Sequence, residues 1–445
     1  MRMRPLGTPG SRNANVHRFR PVFALLAFLV LLCGALSGPA ARAEEMPPPV
    51  KMLFQVFRLK LDLQPRARLI RPDGDGYELQ DVVFAEGALD DETRFTVTAR
   101  RILLRGTAMR DGLMLYRHIR VEDLQVAFTD ADGHFRAFVP RADFAEVSIL
   151  SPQGAHTDVE KFASGNMFSA ATSIPEIRFE VSGFEPFYWR GIRVTWEGDR
   201  RTGAGEQRLE YGTLKIPLAE LLKASKRHGK ALDRDYDEEV LVRRLGLKEF
   251  IMTGYGESTS TWLPDNRLQT DATSIMRFER IGEISFSLDD LAMPLELLQG
   301  LEEMQRQRMA AGPGAVPPDA ALMQRRLMAS LQRLTLLGLD VRWRDLGLTP
   351  ALLDLAAERE GVGRKALIDR LERDLTAKLA QAPIPQLARQ LTAAFVKFLR
   401  EPKSLHVGIR GANGQPVALA GLVSLLLISP QMLMNSVEIV IEANE

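Results

Sequence analysis

The sequence predicts an α+β protein, in which a curved, mostly antiparallel β-sheet of meanders and hairpins carries a C-terminal helical block and closing strands. Short segments alternate between apolar and polar residues from about residue 51 to residue 291, which is the period of half-buried strands. Asp-Gly pairs such as Asp73-Gly74 and Asp111-Gly112 fall between these segments. Tight hairpin turns need the positive backbone dihedrals that such pairs tolerate. A block of longer helices is predicted after about residue 345.

The first 43 residues have the pattern of a secretory signal peptide. An Arg-bearing start precedes an apolar run from Pro21 to Leu36, and Ala41-Arg42-Ala43 stands just before the first acidic residues. A retained membrane anchor is the alternative, but a spanning helix needs ~20 apolar residues and this run is shorter. We therefore predict cleavage after Ala43 and a periplasmic location.

Composition limits the classes of partner and the means of stabilisation. The whole chain of 445 residues has a formal charge of +1, and residues 1–43 hold six arginines and no acidic residue, so residues 44–445 carry −5. Nucleic acid is therefore not an expected partner. Cys33 is the only cysteine, so a chain cut after Ala43 has no disulfide and must be stabilised by its buried core.

Residues 44–304 are predicted to form a β-rich domain. Alternation is clear in Phe95–Ala99 and Ile192–Trp196, and the phrase at residues 78–84 resembles the one at residues 121–128. A strand that runs through proline into a short helix recurs at residues 214–222 and 291–298, since proline suits the first turn of a helix. The chain therefore reuses one unit, a strand or hairpin followed by a capping helix.

Residues 305–321 are predicted to be a linker or long loop, and residues 322–445 an α+β region with helices and closing strands. A strand is expected over Leu331–Trp343, then a helix capped by Thr349 with Pro350 at its first position. Two further helices show apolar stripes, and a third, apolar segment over Val417–Ile428 is expected to be buried under the sheet. The apolar stripes consist of Leu367, Leu371, Leu375 and Leu379, and of Ile384, Leu387, Leu391, Phe395 and Phe398.

No motif indicates a reaction, a cofactor or a metal. The histidines after residue 43 lie more than four residues apart, which is not the local spacing of a zinc site, and no Gly-x-Ser-x-Gly elbow or phosphate-binding glycine pattern is present. Paired carboxylates such as Asp289-Asp290 would allow a glycosidase, although solvated charge is the simpler explanation. We predict no catalytic, cofactor-binding or metal-binding residues, which favours a non-enzymatic protein and leaves an enzyme open.

An aromatic cluster is the candidate binding site. Tyr188, Trp189 and Trp196 lie within one strand-like segment and would suit a stacking platform or a rim that faces lipid. Aromatic packing on one face of the sheet is the alternative explanation.

Two resemblances add expectations. Residues from Asp345 to Asn444, with Phe398-Leu399, Pro416-Val417 and the final Val437-x-Ile439-x-Ile441, resemble uncharacterised exported proteins of Gram-negative, in particular alphaproteobacterial, bacteria. This resemblance covers about the last 110 residues and implies no activity. The repeated strand and hairpin phrases also resemble AsmA-like β-groove proteins of the bacterial envelope, which implies a curved sheet that shields lipid.

The expected function is therefore non-enzymatic binding of an apolar or lipid-like ligand, or of an envelope partner, in the periplasm. One alternative is an envelope scaffold with no small ligand. Another is a glycan hydrolase with two unrecognised carboxylates. The sequence leaves the oligomeric state open.

Overall fold

The computed structural model describes residues 46–61, 64–88, 94–130, 133–218, 238–311, 330–380, 382 and 384–444. The predicted signal peptide over residues 1–43 lies outside the described residues. The N-terminal part begins with one helix and continues as long strands. Its elements are α1 (Pro48–Leu61), β1 (Arg66–Asp73), β2 (Gly76–Ala88), β3 (Arg94–Arg105), β4 (Ala108–Arg110), β5 (Leu113–Asp130), β6 (Gly133–Leu150), α2 (Asp158–Ala163), β7 (Met167–Val181), β8 (Phe187–Gly198) and β9 (Gly205–Pro217).

The C-terminal part mixes strands with most of the described helices. Its elements are α3 (Glu238–Arg244), β10 (Glu249–Trp262), β11 (Arg267–Phe278), β12 (Gly282–Pro294), α4 (Leu295–Ala311), β13 (Thr335–Leu336), β14 (Gly338–Asp345), α5 (Leu348–Arg359), α6 (Arg364–Leu379), α7 (Pro385–Arg400), β15 (Ser404–Gly411), β16 (Val417–Ala418), α8 (Leu419–Ile428), α9 (Pro430–Ser436) and β17 (Val437–Ala443).

All the described strands belong to one antiparallel sheet that follows chain order. The long strands pair in the sequence β1-β2-β3-β5-β6-β7-β8-β9-β10-β11-β12-β14-β15-β17, with the short β4, β13 and β16 alongside. Strands β1 and β17 do not pair with each other, so the sheet is open. This confirms the predicted fold class, a curved antiparallel meander with helices mainly at the C-terminal end.

Acidic residues with positive φ bend several strands. Asp81 in β2 (φ 49°), Asp123 in β5 (φ 52°) and Asp290 in β12 (φ 48°) adopt the left-handed conformation that an aspartate tolerates better than most residues. At Asp81 and Asp123 the regular pairing is interrupted, and apolar side chains switch position in the alternation, as from Leu79 to Val82. The similar phrases at residues 78–84 and 121–128 are thus repeated bends.

Three clusters of buried apolar residues hold the fold together. Core 1 is formed by α1 and strands β2 to β8, and includes Phe54, Ile119 and Phe179. Core 2 joins α5, α6 and α7 to β17, with Trp343 and Leu405 packed against it. Core 3 is small and consists of Ile384, Leu433 and Val437 with partly buried neighbours. The two C-terminal cores lie at opposite ends of the last strands.

Some details differ from the sequence-based expectations. Helix α4 includes residues 305–311, the first part of the predicted linker, and residues 312–329 lie outside the described residues. Thr349 does not cap the next helix; the Asp345 carboxylate does so by accepting hydrogen bonds from the backbone N–H of Gly347 at 2.8 Å and of Thr349 at 2.9 Å. In α8 the described side chains are half-buried or exposed, so the predicted burial of this helix is not found there.

Candidate functional site: the uncovered inner face

The two faces of the sheet have different chemistry. We call the face on which α1 packs the inner face and the opposite one the outer face. In antiparallel strands, directly opposed residues point to the same face, so the register of the strand pairs extends this assignment from β2 to β17. The outer face carries ion pairs such as Arg190–Glu176 (2.6 Å) and Arg410–Asp289 (2.9 Å). The inner face carries apolar and small residues.

One row of opposed residues crosses the inner face from core 1 to the last strand. Val194, which is buried beside core 1, pairs with Leu209, and the row continues through Gly256 and Ser274 to Phe286. It then runs through Val341 and Val407 to Ile441, which packs against core 2. The inner face is therefore continuous between the N-terminal and C-terminal cores.

The middle of this row is exposed although it is apolar. The Phe286 side chain is 37% exposed and Val407 is 42% exposed, while Val341 between them is half-buried. Their neighbours on the same face are also only half-buried, and they are Met252, Met276, Ile284, Leu288 and Leu339. An apolar surface that the fold leaves in contact with solvent is typical of a binding site.

Helices cover the inner face at both ends of this surface. At the N-terminal end, α1 places Phe54 fully inside core 1, and the Tyr116 hydroxyl donates a hydrogen bond to the Pro49 carbonyl at 2.6 Å. Burial raises the pKa of the Tyr116 phenol, so this hydroxyl stays a donor. At the other end, α7 packs on β15 and β17. In the described part of the chain, the inner-face residues in the middle of β10 to β12, β14 and β15 are exposed or half-buried, so this stretch is a trough between two helical covers.

The three aromatic residues predicted from the sequence do not share one surface. Trp189 packs against core 1 and its indole N–H donates to the Tyr211 carbonyl, so it is a structural residue of the inner face. Tyr188 is on the outer face, where the Arg190 guanidinium lies 4.8 Å from the centre of its ring. Trp196 stacks on Phe168 with ring centres 5.2 Å apart. Of the three, only Trp196 borders a cavity of the inner face.

The cavity beside Trp196 is small. Its volume is about 190 Å³, and Phe144, Met167, Gln207 and Ser258 are among its lining residues. Sites for drug-sized ligands usually occupy ~300 Å³ or more. This cavity alone would therefore hold only part of a larger ligand, and the neighbouring trough offers the greater apolar area.

Two carboxylates of the described residues, the buried Glu78 and the half-buried Asp143, serve as structural anchors. Glu78 accepts hydrogen bonds from Gln80 (3.0 Å), Arg71 (2.7 Å) and Arg101 (2.8 Å), and these partners, led by Gln80 and Arg71, lower its pKa to about 2. Asp143 on the outer face contacts Arg120 at 2.9 Å. Arginine cations hold both carboxylates in the ionised form, so neither is arranged to donate a proton as a general acid.

The described part of the chain holds no metal site. No group of three or more His, Asp or Glu side chains there could hold a metal ion. The carboxylates of Asp289 and Asp290 are engaged with Arg410 and Gln269 at a strand bend. In the same part of the chain, no helix is both long enough and apolar enough to cross a bilayer.

Sequence reasoning missed the exposed residues of the trough. Phe286 and Val407 each lie in an alternating strand, which shows that they face one side but not whether that side is covered. Their exposure follows from the register of five strands and from the position of α7, which no local pattern contains. The signal that was available is the succession of three long strands between residues 249 and 294, which no helix interrupts.

Comparison with known proteins identifies no activity. A search of curated proteins finds no match to the chain. Residues 276–444, from β11 to the end of β17, match the model of a family described as "Uncharacterized protein". This match includes the C-terminal strands, all of their covering helices and the exposed residues Phe286 and Val407.

Proposed function

We propose that the protein is a non-enzymatic binder of an apolar, lipid-like ligand, which lies in the trough of the inner face. The observation that carries this proposal is the exposure of Phe286 and Val407 in the middle of a continuous apolar row. Full burial of a large apolar side chain contributes ~1.5–3 kcal/mol. A ligand that buries even part of this row would therefore gain binding free energy from apolar contact.

The shape of the trough favours an elongated ligand. Its length runs across several strands, which lie ~4.8 Å apart, so the stretch from β9 to β15 is about 24 Å long. The small residues of the row, Gly256 and Ser274, lie beneath the Tyr211 side chain, whose hydroxyl is 3.3 Å from the Ser274 hydroxyl, so Tyr211 adds an aromatic side chain to this part of the trough. The resemblance of the strand phrases to AsmA-like β-groove proteins is consistent with an acyl chain in this position.

The experiment is native mass spectrometry of the purified protein, followed by titration with a fluorescent fatty acid. We expect co-purified lipid mass and saturable binding by the wild type. Phe286→Gln together with Val407→Gln should weaken probe binding about 10-fold or more, because polar side chains in the trough remove ~1.4 kcal/mol or more of apolar contact.

A matched control distinguishes binding in the trough from nonspecific binding of the apolar probe. Tyr255 is 47% exposed but lies in β10 at a position of opposite parity to Gly256, and hence on the outer face. Tyr255→Gln should leave probe binding unchanged. Absence of lipid in the native protein, combined with equal probe binding by all variants, contradicts the proposal.

A second candidate is an envelope scaffold that binds a protein on the same surface. It is favoured if crosslinking recovers a partner through the trough while lipid and probe do not bind. A glycan hydrolase is the third candidate, although Asp289 and Asp290 do not support it, since each is engaged with its own partner.

We also propose that the protein is exported to the periplasm and cut after Ala43, on the basis of the charge and hydropathy pattern of residues 1–43. N-terminal sequencing of protein recovered from a periplasmic extract tests this. A chain that retains residues 1–43 contradicts it.

A further inference from the structure

We propose that copies of this chain associate head to tail, with the free edge of β17 in one copy pairing with the free edge of β1 in the next. The sheet is open, and within the described residues β1 pairs only with β2 and β17 only with β15. Each edge strand leaves one side of its backbone N–H and C=O groups without a strand partner. Such an edge is a ready template for another strand.

The two edges carry opposite charge. Strand β1 has three arginines, Arg66, Arg68 and Arg71, and one acidic residue, Asp73. The arginines pair with acidic residues of β2, but the Arg66 and Arg68 side chains remain 69% and 70% exposed and can accept a second partner. Strand β17 has Glu438 and Glu442 and no basic residue. Opposite charges across a strand pair are favourable and like charges are not. Pairing of β17 with β1 therefore brings the basic edge against the acidic one.

The same charges argue against a symmetric dimer. Pairing β1 with β1 would bring arginines together, and pairing β17 with β17 would bring glutamates together, which is destabilising in both cases. Only the unlike pair is electrostatically complementary. A contact between two different surfaces of one chain does not close on itself unless rotation forms a ring, so it generates a chain of copies.

Geometry also matches at the two edges. The strands have similar lengths, eight residues in β1 and seven in β17. Ile70 in β1 opposes the buried Leu79, and Ile439 and Ile441 in β17 pack against the C-terminal cores, so each edge keeps apolar residues on the inner face. An antiparallel pair would continue both the apolar inner face and the charged outer face from one copy to the next.

The test uses two charge-reversed variants of the natively purified protein. Glu438→Lys with Glu442→Lys reverses the β17 edge, and Arg66→Glu with Arg68→Glu reverses the β1 edge. We expect the wild type to increase in weight-average mass with concentration through the micromolar range, and each variant alone to stay at the mass of one chain. An equimolar mixture should associate again, because each reversed edge then meets a reversed partner.

The control is Glu257→Lys, a charge reversal on an exposed side chain of β10, which is an internal strand of the sheet. It should associate like the wild type, and circular dichroism of all variants should show an unchanged strand content. A wild type that remains at the mass of one chain throughout, or reversed variants that associate as the wild type does, overturns the proposal. These results are independent of lipid content and so of the trough.

Discussion

At the scale of single residues, one buried ion pair ties together three turns at one end of the sheet. The Arg201 guanidinium, in the turn between β8 and β9, bonds to the Glu160 carboxylate at 2.5 Å and to the carbonyls of Gly154 and Asp111 at 2.7 and 2.8 Å. Glu160 also accepts the backbone N–H of His156 at 2.6 Å. The bond from Arg201, followed by that from His156, lowers the pKa of Glu160 to about 2.

We predict that Glu160→Gln lowers the free energy of unfolding at neutral pH by about 1.5–3 kcal/mol, the usual worth of a hydrogen bond to a charged group. A carboxylate with a depressed folded pKa stabilises the fold above its unfolded pKa of 4.5, and this contribution is lost as the pH falls toward 2. Urea unfolding between these pH values should therefore show a smaller loss for the variant than for the wild type.

Asp158→Asn is the control for this prediction. Asp158 lies in the same helix, but its side chain is 70% exposed and pairs only with Lys161. It should change stability by less than about 0.5 kcal/mol. If the two variants lose equal stability, or if Glu160→Gln has the same pH profile as the wild type, Glu160 does not anchor these turns.

The residue scale also shows what sequence could predict at the candidate site. The aromatic composition of residues 188–196 suggested a cluster of Tyr188, Trp189 and Trp196. The alternation of a strand, however, places Tyr188 and Trp189 on opposite faces. The Trp189 indole N–H then finds a carbonyl on β9, which only the strand pairing reveals. Exposure of Phe286 depends on elements more than a hundred residues away and could not be read locally.

At the scale of elements, the bends of the strands shape the sheet. Asp123 in β5 combines a φ of 52° with a bond from the Arg100 side chain at 2.5 Å, and Asp81 in β2 does the same with Arg68 at 2.6 Å. The side chain therefore secures a backbone conformation that costs most residues ~1–2 kcal/mol. The two bends lie on either side of β3, both at the position opposite Arg100.

We predict that Asp123→Val destabilises the protein by about 2 kcal/mol, because a β-branched residue strains at positive φ and the bond from Arg100 is lost. Asp123→Asn should cost less, since asparagine tolerates this conformation. Thermal unfolding of the two variants measures the difference. Equal melting temperatures would show that the bend does not depend on this residue.

Helix α1 is the element that completes core 1. Val50 and Phe54 are fully buried against β-strands, whereas Lys51 on the same helix is exposed. We predict that Phe54→Ala lowers the free energy of unfolding by about 3–5 kcal/mol, the cost of a large cavity in a core. Lys51→Ala should have little effect. Urea unfolding of both variants decides this, and a small loss for Phe54→Ala would show that α1 is not part of the core.

Most elements were predictable because their patterns are local. Alternation and Asp-Gly turns identified the meander, and Pro294 correctly predicted the passage from β12 into α4. The helix cap at Asp345 was missed because Thr349 had the more familiar pattern, although the aspartate four residues earlier reaches two free N–H groups. The predicted burial of α8 is not found in its described side chains, although Leu422 packs against core 3.

At the scale of the whole molecule, buried apolar residues are unevenly distributed along a continuous sheet. Core 1 contains buried residues of α1 and of six strands, whereas cores 2 and 3 are smaller. Between them, no residue of β10 or β11 is buried. Backbone hydrogen bonds link these strands to their neighbours, but few buried contacts resist their opening. The trough therefore coincides with the least-supported part of the sheet.

We predict that hydrogen–deuterium exchange is slowest in β5 and β6, intermediate in β15 and β17, and fastest among the long strands in β10 and β11. Phe54→Ala should speed exchange in β5 and β6 without changing that of α6 and α7, because the latter belong to core 2. A lipid bound in the trough should slow exchange in β10 to β12. Uniform protection in all strands, or an equal response of both cores to Phe54→Ala, would instead show one cooperative unit from β1 to β17.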